Sequence, residues 1–305
     1  MQASELFHQP NTILLDGGMG TMLQAAGMKL GTRPEDLNIE NPELIRSIHA
    51  KYAAAGSRVV NANTFGASPH KLADSKYTLE EVITAGIANC KQAVAPYGAL
   101  VTLDMGPLGE LLEPSGTLAF EDAVAEYGRI VRAGVAAGAD ILYFETFTDL
   151  YEMKAALLAA KENSTLPIMA SMSFEANGRT FTGCTVESFA ATARGLGVNA
   201  VGINCSLGPK EIFPMAKRLA EAVPGDFPVF VKPNAGLPRA DGSGYDITPQ
   251  LYAMQMKPYR ELHLFAAGAA PRRSSSRCST ACLPIASRAA RSTRCSRSSA
   301  ARWTA

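Results

Sequence analysis

Four side chains that could carry out chemistry stand at the ends of short apolar runs. Asp16 precedes the glycine-rich segment GGMGT, Glu145 lies in FETF, Cys205 lies in GINCS, and Lys232 precedes the turn PNAG. A thiolate is a nucleophile and a metal ligand, a carboxylate can hold an ammonium group, and a desolvated lysine can form a Schiff base with a carbonyl substrate. These residue types indicate a site for a small polar molecule and leave the reaction open.

Each of the four side chains also has a structural interpretation. Asp16 could cap a tight strand-to-helix turn, and Cys205 could be a small buried hydrophobe. Glu145 would be costly in an apolar strand unless it meets a cation, either on a substrate or in a buried ion pair. Lys232 could be solvated or paired. The glycines after Asp16 match neither a phosphate loop nor a dinucleotide-binding fingerprint.

The chain alternates short apolar runs with longer stretches of helical periodicity. Nearly continuous apolar runs of this length are typical of parallel strands that are buried on both faces. The eight runs are Thr12–Asp16, Arg58–Asn63, Leu100–Asp104, Ile141–Glu145, Ile168–Ser173, Ala200–Cys205, Val229–Pro233 and His263–Gly268. The helical stretches are Pro42–Gly56, Leu79–Ala95, Phe120–Gly138, Asp149–Lys161, Val186–Gly197 and Pro209–Ala222. This alternation predicts an α/β fold, a (β/α)8 TIM barrel, which typically takes about 250 residues. An open, doubly wound sheet is the alternative.

In such a barrel, the C-terminal ends of the strands and the loops after them build the active site. Most of the apolar runs here end in a polar or glycine-rich step. The polar residues at these ends are Asp16, Asn63, Thr64, Asp104, Glu145, Asn204, Cys205 and Lys232. Their convergence on one rim predicts an enzyme that acts on a small molecule.

Composition excludes several classes of protein. The chain has 305 residues, of which 47% are hydrophobic, so it can build a large core. No apolar run approaches the roughly 20 residues that a membrane span needs. The N-terminus, MQASELFHQPNT, lacks the basic residues of a signal peptide. We therefore expect a cytoplasmic protein with no membrane partner.

Charge divides the chain into two parts. Residues 269–305 contain eight Arg and no Lys, Asp or Glu, which leaves 21 basic against 28 acidic residues in 1–268, a net charge of −7. Because residues 1–268 carry a net negative charge, as the phosphates of nucleic acid do, we do not expect them to bind nucleic acid. The tail lacks apolar periodicity and cannot supply an amphipathic helix to cover the eighth strand. We predict a barrel over residues 1–268 with its last helix missing or disordered, and a disordered tail over 269–305.

Six motifs carry a resemblance to a known family. DGGMGTMLQ, PEDLNIENPELIRSIHAKYAAAGS, NANTFGAS, FETF, GINCSLGP and KPNAGLP occur in order at the expected strand ends. Over residues 10–268 the chain resembles the homocysteine S-methyltransferase family, most closely the homocysteine-binding module of cobalamin-dependent methionine synthases. That family has a (β/α)8 barrel, in agreement with the strand count. Its members transfer a methyl group to the sulfur of homocysteine and form methionine.

The resemblance implies roles for several residues. Cys205 matches the first of three cysteines that hold a catalytic zinc ion. Asp16 and Glu145 match acids that contact the amino group of homocysteine.

The resemblance also implies contacts at the other end of the substrate. The backbone at Gly17 and the turn formed by Asn63 and Thr64 would lie near the carboxylate of the amino acid. L-homocysteine is the implied substrate. Two kinds of methyl donor stay open: methylcobalamin, supplied by a corrinoid and folate module in another domain or protein, and S-methylmethionine or a betaine-like donor, used by a stand-alone enzyme.

The chain departs from the family at the zinc site. The family places its other two zinc cysteines in GGCCGTTP, just after the eighth strand, whereas this chain reads FAAG followed by AAPRR. Cys278 and Cys282 lie about ten residues further on with a different spacing. We expect an incomplete zinc site and impaired methyl transfer, and the change in composition predicts a frameshift near Gly268. The alternatives are a catalytically dead barrel that only binds an amino acid, and a Schiff-base lyase that uses Lys232.

Overall fold

Eight parallel strands close into a barrel in chain order. The structure, a computed structural model, describes residues 3–29, 31–235 and 247–269. The strands are β1 (Ile13–Gly17), β2 (Val59–Asn61), β3 (Leu100–Met105), β4 (Ile141–Phe147), β5 (Ile168–Met172), β6 (Ala200–Asn204), β7 (Val229–Lys232) and β8 (Ala266–Ala269). Closure pairs β1 with β8, where Ile13 is opposite Ala266. The predicted (β/α)8 barrel is confirmed, and the open-sheet alternative is wrong.

One helix, α1 (Ala3–Leu6), precedes the first strand, and the other helices connect the successive strands. These are α2 (Met19–Ala25), α3 (Leu37–Glu40), α4 (Pro42–Ala54), α5 (Leu79–Val94), α6 (Phe120–Ala136), α7 (Leu150–Asn163), α8 (Val186–Gly195), α9 (Pro209–Glu221) and α10 (Pro249–Met256). The six predicted helical stretches match α4 to α9, with ends that differ by no more than two residues. Helix α10, between β7 and β8, was not predicted, because PQLYAMQM has no clear apolar stripe.

Local sequence determines where several helices begin. At α4, the side chain of Asn41 accepts a hydrogen bond from the N–H of Leu44, and Pro42 occupies the first turn. At α5, Thr78 and Glu81 form a reciprocal capping box. These contacts satisfy N–H groups that the helix itself leaves unpaired, so each helix has a defined start after its loop.

Alternate residues of each strand point to opposite faces, so the strands build two apolar layers. One layer fills the barrel interior and contains Ile13, Leu15, Val59, Leu100, Ile141, Tyr143, Met169, Ala200, Phe230 and Ala266. The other lies between strands and helices and includes Val60, Val101, Leu142, Val201 and Val231. In the interior, a Cβ atom on Gly202 would lie 2.4 Å from the ring of Phe230. The interior is therefore a packed core rather than a channel.

The end of the barrel differs slightly from the predicted boundary at residue 268. Strand β8 continues through Ala269, which is buried and pairs with Gly17 of β1. The rest of the tail, residues 270–305, lies outside the described residues, so its predicted disorder and the predicted lack of a last helix stay predictions. Within the described ranges, each helix is too short or too polar to cross a lipid bilayer.

Candidate active site

A cavity of about 350 Å³ opens at the mouth of the barrel, a size that suits a small ligand. It brings together Asp16, Glu145 and Cys205, which belong to three different strand ends. The described lining residues are Asp16, Gly17, Gly18, Met19, Gly20, Pro34, Glu35, Tyr52, Asn61, Ala62, Asn63, Phe65, Asp104, Glu145, Thr146, Cys205 and Lys232. Six of the eight predicted polar strand-end residues therefore line a single space, and Thr64 and Asn204 are not among the lining residues.

Lys232 joins two of the carboxylates in this cavity. Its Nζ lies 2.7 Å from Oε1 of Glu145 and 3.3 Å from Oδ1 of Asp16. The second oxygen of Asp16 accepts a hydrogen bond of 2.8 Å from the backbone N–H of Asn61. Lys232 is thus the cation that Glu145 requires within its apolar strand, and the paired role of this lysine is the one observed.

Burial and charge act in opposite directions on Lys232. Burial lowers its pKa, but the carboxylates of Glu145, Asp16 and Asp104 outweigh that effect and raise the pKa above its ordinary value. Lys232 is therefore protonated, whereas Schiff-base formation requires the neutral amine. This environment argues against the lyase alternative.

The pKa of Asp16 moves in the direction expected for a buried acid. Burial raises it to about 6, and Lys232 and the N–H of Asn61 offset part of that rise. The Asp16 carboxyl group therefore gains and loses its proton near pH 6, while it remains in contact with Lys232.

Asp104 adds a third acid to the cavity wall. It is buried, and among the described residues its Oδ1 has no hydrogen-bond partner. The hydroxyl of Thr64 holds its main chain, since it donates to the carbonyl of Asp104 at 2.9 Å and accepts from its N–H at 3.1 Å. Burial, followed by the charge of Glu145, raises the pKa of Asp104 well above its usual range. Both effects favour the neutral form of this acid over its charged form.

Cys205 follows β6 in the left-handed backbone region, with φ of 58°. Such a conformation is rare for a residue other than glycine and is frequent at functional sites. The side-chain amide of Asn204 lies 3.2 Å from Sγ, and the hydroxyl of Thr146 lies 3.6 Å from it. Burial, with a smaller effect of Glu145, raises the pKa of the thiol to about 12. In this environment Cys205 is protonated at neutral pH.

The described residues do not fit a zinc ion. Protein zinc sites use three or four Cys, His or carboxylate ligands, and Cys205 supplies one thiol to the cavity. Within residues 3–29, 31–235 and 247–269, no three His, Cys, Asp or Glu side chains are placed to hold a metal ion. The polar neighbours of Sγ are the amide of Asn204 and the hydroxyl of Thr146. Ala269, the last residue of β8, and Ala270, the next residue in the sequence, stand where the resemblance implies the family's cysteine pair.

The other predicted site residues are Gly17, Asn63 and Thr64, and only some of them line the cavity. Gly17 and Asn63 line the cavity. The side-chain amide of Asn63, however, donates to Oδ1 of Asn38 at 2.9 Å and so secures a loop. Thr64 is not among the lining residues, because its hydroxyl bonds to the main chain of Asp104. A substrate contact at the 63–64 turn stays a prediction.

Sequence reasoning missed several residues of the cavity wall. Glu35, Tyr52, Asn61 and Phe65 line it but were not predicted. Glu35 is buried, accepts a hydrogen bond of 2.7 Å from the N–H of Gly66, and has its pKa raised by burial. It lies in a loop, where no strand periodicity marks it, and the acidic PEDLN segment was the available signal.

Residues 13–270 match the family described as homocysteine S-methyltransferase. The chain belongs to the homocysteine S-methyltransferase family. Two relatives of this family member are methionine synthases, from Mycobacterium tuberculosis, 30% identical over 254 residues, and from Mycobacterium leprae, 30% identical over 255 residues. Each alignment covers 77% of this chain and 21% of the relative, so the chain spans about a fifth of the length of these relatives.

A solved structure is similar to this member of the homocysteine S-methyltransferase family. The metallated form of the homocysteine methyltransferase MmuM from Escherichia coli aligns with a TM-score of 0.76 and 22% sequence identity. The alignment covers 90% of this chain and 96% of that chain. At this level of identity, the likeness concerns the fold, a barrel that is closed in this family member by the pairing of β1 with β8.

Proposed function

We propose that this barrel binds L-homocysteine at its mouth and belongs to an enzyme that methylates the thiol to give L-methionine. The observation that carries the proposal is that Cys205, Asp16 and Glu145 line one cavity. The carboxylates offer a site for the ammonium group of the amino acid. The sulfur of the bound homocysteine would lie at the part of the cavity wall that contains Cys205. Family membership supports methyl transfer to homocysteine as the reaction.

The residues of this chain bind and orient the substrate in our proposal. Asp16 and Glu145 hold the ammonium group, and the glycine backbone from Gly17 allows the substrate to approach closely. Fixing one end of the substrate limits the positions of its sulfur, which favours an in-line approach to a methyl donor. The thiol must lose its proton to react, because the thiolate is the nucleophile.

We propose that zinc-dependent activation of that thiol is impaired in this chain. A complete structural zinc site contributes about 10–16 kcal/mol over four ligands, so the loss of two ligands costs on the order of 5–8 kcal/mol. At 1.4 kcal/mol per factor of ten, zinc affinity falls by about four to six orders of magnitude.

An amino-acid-binding barrel without methyltransferase activity is the second candidate function. It is favoured because Cys205 is the one thiol in the described cavity wall.

The methyl donor and the location are further parts of the proposal. A corrinoid and folate module, in another domain or protein, would bring methylcobalamin to the barrel mouth in the cytoplasm. The support is that the chain matches about a fifth of two methionine synthases, which leaves most of those relatives for other domains.

Calorimetry with L-homocysteine tests the substrate proposal. Replacing Glu145 by Gln removes a charged partner of the ammonium group, which is worth about 1.5–3 kcal/mol, so we expect affinity to fall by about 10- to 100-fold. Glu162→Gln, on an exposed part of α7, is the matched control and should bind like the wild type. Undetectable binding in the wild type, or equal affinity in all three chains, contradicts the proposal.

Zinc content and methionine formation test the proposed impairment. After dialysis we expect far less than one zinc ion per wild-type chain, and little methionine from homocysteine and methylcobalamin. The variant Ala269→Cys with Ala270→Cys restores an adjacent pair and should raise both quantities, because it rebuilds a three-thiolate set with Cys205. One zinc ion per wild-type chain after dialysis would show that the site is complete by another route.

A further inference from the structure

Lys232 stands out among the residues of the cavity because of its charge. Within the described part of the chain it is the one basic residue that lines the cavity, and it shares the wall with the acids Asp16, Glu35, Asp104 and Glu145. Its side chain is only 4% exposed. The buried ammonium group therefore interacts with the acids around it rather than with solvent.

The position of that ammonium group coincides with the position that a ligand would need. Lys232 Nζ is within hydrogen-bond range of Glu145 and Asp16 at once, at 2.7 and 3.3 Å. A second nitrogen that bonded to the same two oxygens would have to stand at about 2.7–3.2 Å from each of them. Nζ already occupies part of that volume, so a ligand ammonium group that bonds to the same two oxygens from that side competes with Lys232.

The surroundings of Lys232 determine which contacts its displacement would break. Its stem is a flexible chain of four carbons. Gly268 on the neighbouring strand places no side chain beside it, and a Cβ atom there would lie 3.2 Å from Cγ of Lys232. Nζ also lies 5.5 Å from the centre of the Tyr143 ring, which provides a further weak attraction. Displacement therefore breaks two ion-pair contacts and one aromatic contact.

We propose that Lys232 is an internal substitute for the ammonium group of the ligand. It neutralises the pair formed by Asp16 and Glu145 when the cavity holds no amino acid, and an incoming amino acid must displace it. Lys232 thereby determines specificity, because it weakens binding of ligands with an ammonium group and leaves ligands without one unaffected. This inference rests on the proposed function, in which that acid pair receives the ammonium group.

The alternative arrangement keeps Lys232 in place during binding. Its ammonium group would then hold the carboxylate of the amino acid, and its removal would weaken binding instead of strengthening it. The two arrangements predict opposite changes for one substitution.

Calorimetry on the full chain with two probes distinguishes them. The probes are L-homocysteine and 4-mercaptobutanoate, which carries the same thiol and carboxylate without the amino group. Lys232→Met keeps the length of the stem and removes the charge. We expect it to bind homocysteine at least about tenfold more tightly than the wild type, because the ligand then neutralises two otherwise unpaired carboxylates. Binding of 4-mercaptobutanoate should stay unchanged, because this probe has no ammonium group that competes with Lys232.

Controls keep the test decisive. Lys217→Met, on an exposed part of α9, should leave both affinities unchanged. If Lys232→Met does not fold, the double variant with Glu145→Gln removes one unpaired charge, and its homocysteine affinity is compared with that of Glu145→Gln alone. A gain there supports the proposal.

Two results would overturn the inference in different ways. If homocysteine binds the wild type and loses affinity, or keeps the same affinity, when Lys232 is replaced, the internal-substitute role is wrong while the proposed substrate stands. If neither probe binds any of the chains, the proposed function fails and the inference fails with it.

Discussion

Asp16 illustrates how one side chain of the cavity couples charge to folding. It accepts hydrogen bonds from Lys232 and from the N–H of Asn61. Those contacts would lower its pKa, yet burial is the larger effect and brings it to about 6 from 3.8. The folded chain therefore binds this proton more tightly than the unfolded chain does.

The raised pKa of Asp16 predicts a loss of stability as pH rises. A group with a higher pKa in the folded state stabilises the fold fully below its unfolded pKa and loses that contribution as pH rises through the folded pKa. The contribution, about 3 kcal/mol at most, should disappear between about pH 4 and pH 6. Urea unfolding of the wild type and Asp16→Asn across that window measures it. A difference between the two chains that does not change with pH would contradict the prediction.

At the scale of elements, the sequence predicted the barrel but not the contacts within its mouth. The strands could be predicted because strands buried on both faces, such as Leu100–Met105 and Ala200–Asn204, have nearly continuous apolar sequences. The contact between Glu145 and Lys232 joins β4 and β7, which are not neighbours in the barrel. Strand periodicity predicts only that both side chains reach the same rim, since it carries no information about distances across it. Thr64 was assigned to the substrate for the same reason.

Two glycines on neighbouring elements predict opposite effects of the same substitution. In β6, a Cβ atom at Gly202 would lie 2.4 Å from the Phe230 ring, so Gly202→Ala should overpack the interior and destabilise the fold by about 1–3 kcal/mol. In α8, Gly195 is exposed and has no atom within 4 Å of such a Cβ. Gly195→Ala should be neutral or stabilise by up to about 1 kcal/mol. Thermal unfolding of both variants checks the pair, and equal effects would contradict the packing argument.

At the scale of the whole molecule, the barrel and the basic tail are predicted to behave independently. The family match ends at residue 270, and the residues after it lack apolar periodicity. Deleting residues 271–305 should change the midpoint of thermal unfolding by less than about 2 °C, because about 1 kcal/mol shifts a chain of this size by 2–4 °C. Calorimetric scans of the two chains measure this difference. A fall of about 5 °C or more would mean that the tail packs on the barrel.

The pairing of β1 with β8 also has a consequence for synthesis on the ribosome. Ile13 can pair with Ala266 only after the ribosome has added about 250 further residues. At 5–20 residues per second, this synthesis takes roughly 12–50 s. During this time the first strand presents an unsatisfied edge, which is a template for association with other nascent chains. Rapid translation and chaperone capture of early segments should therefore raise the yield of the completed protein.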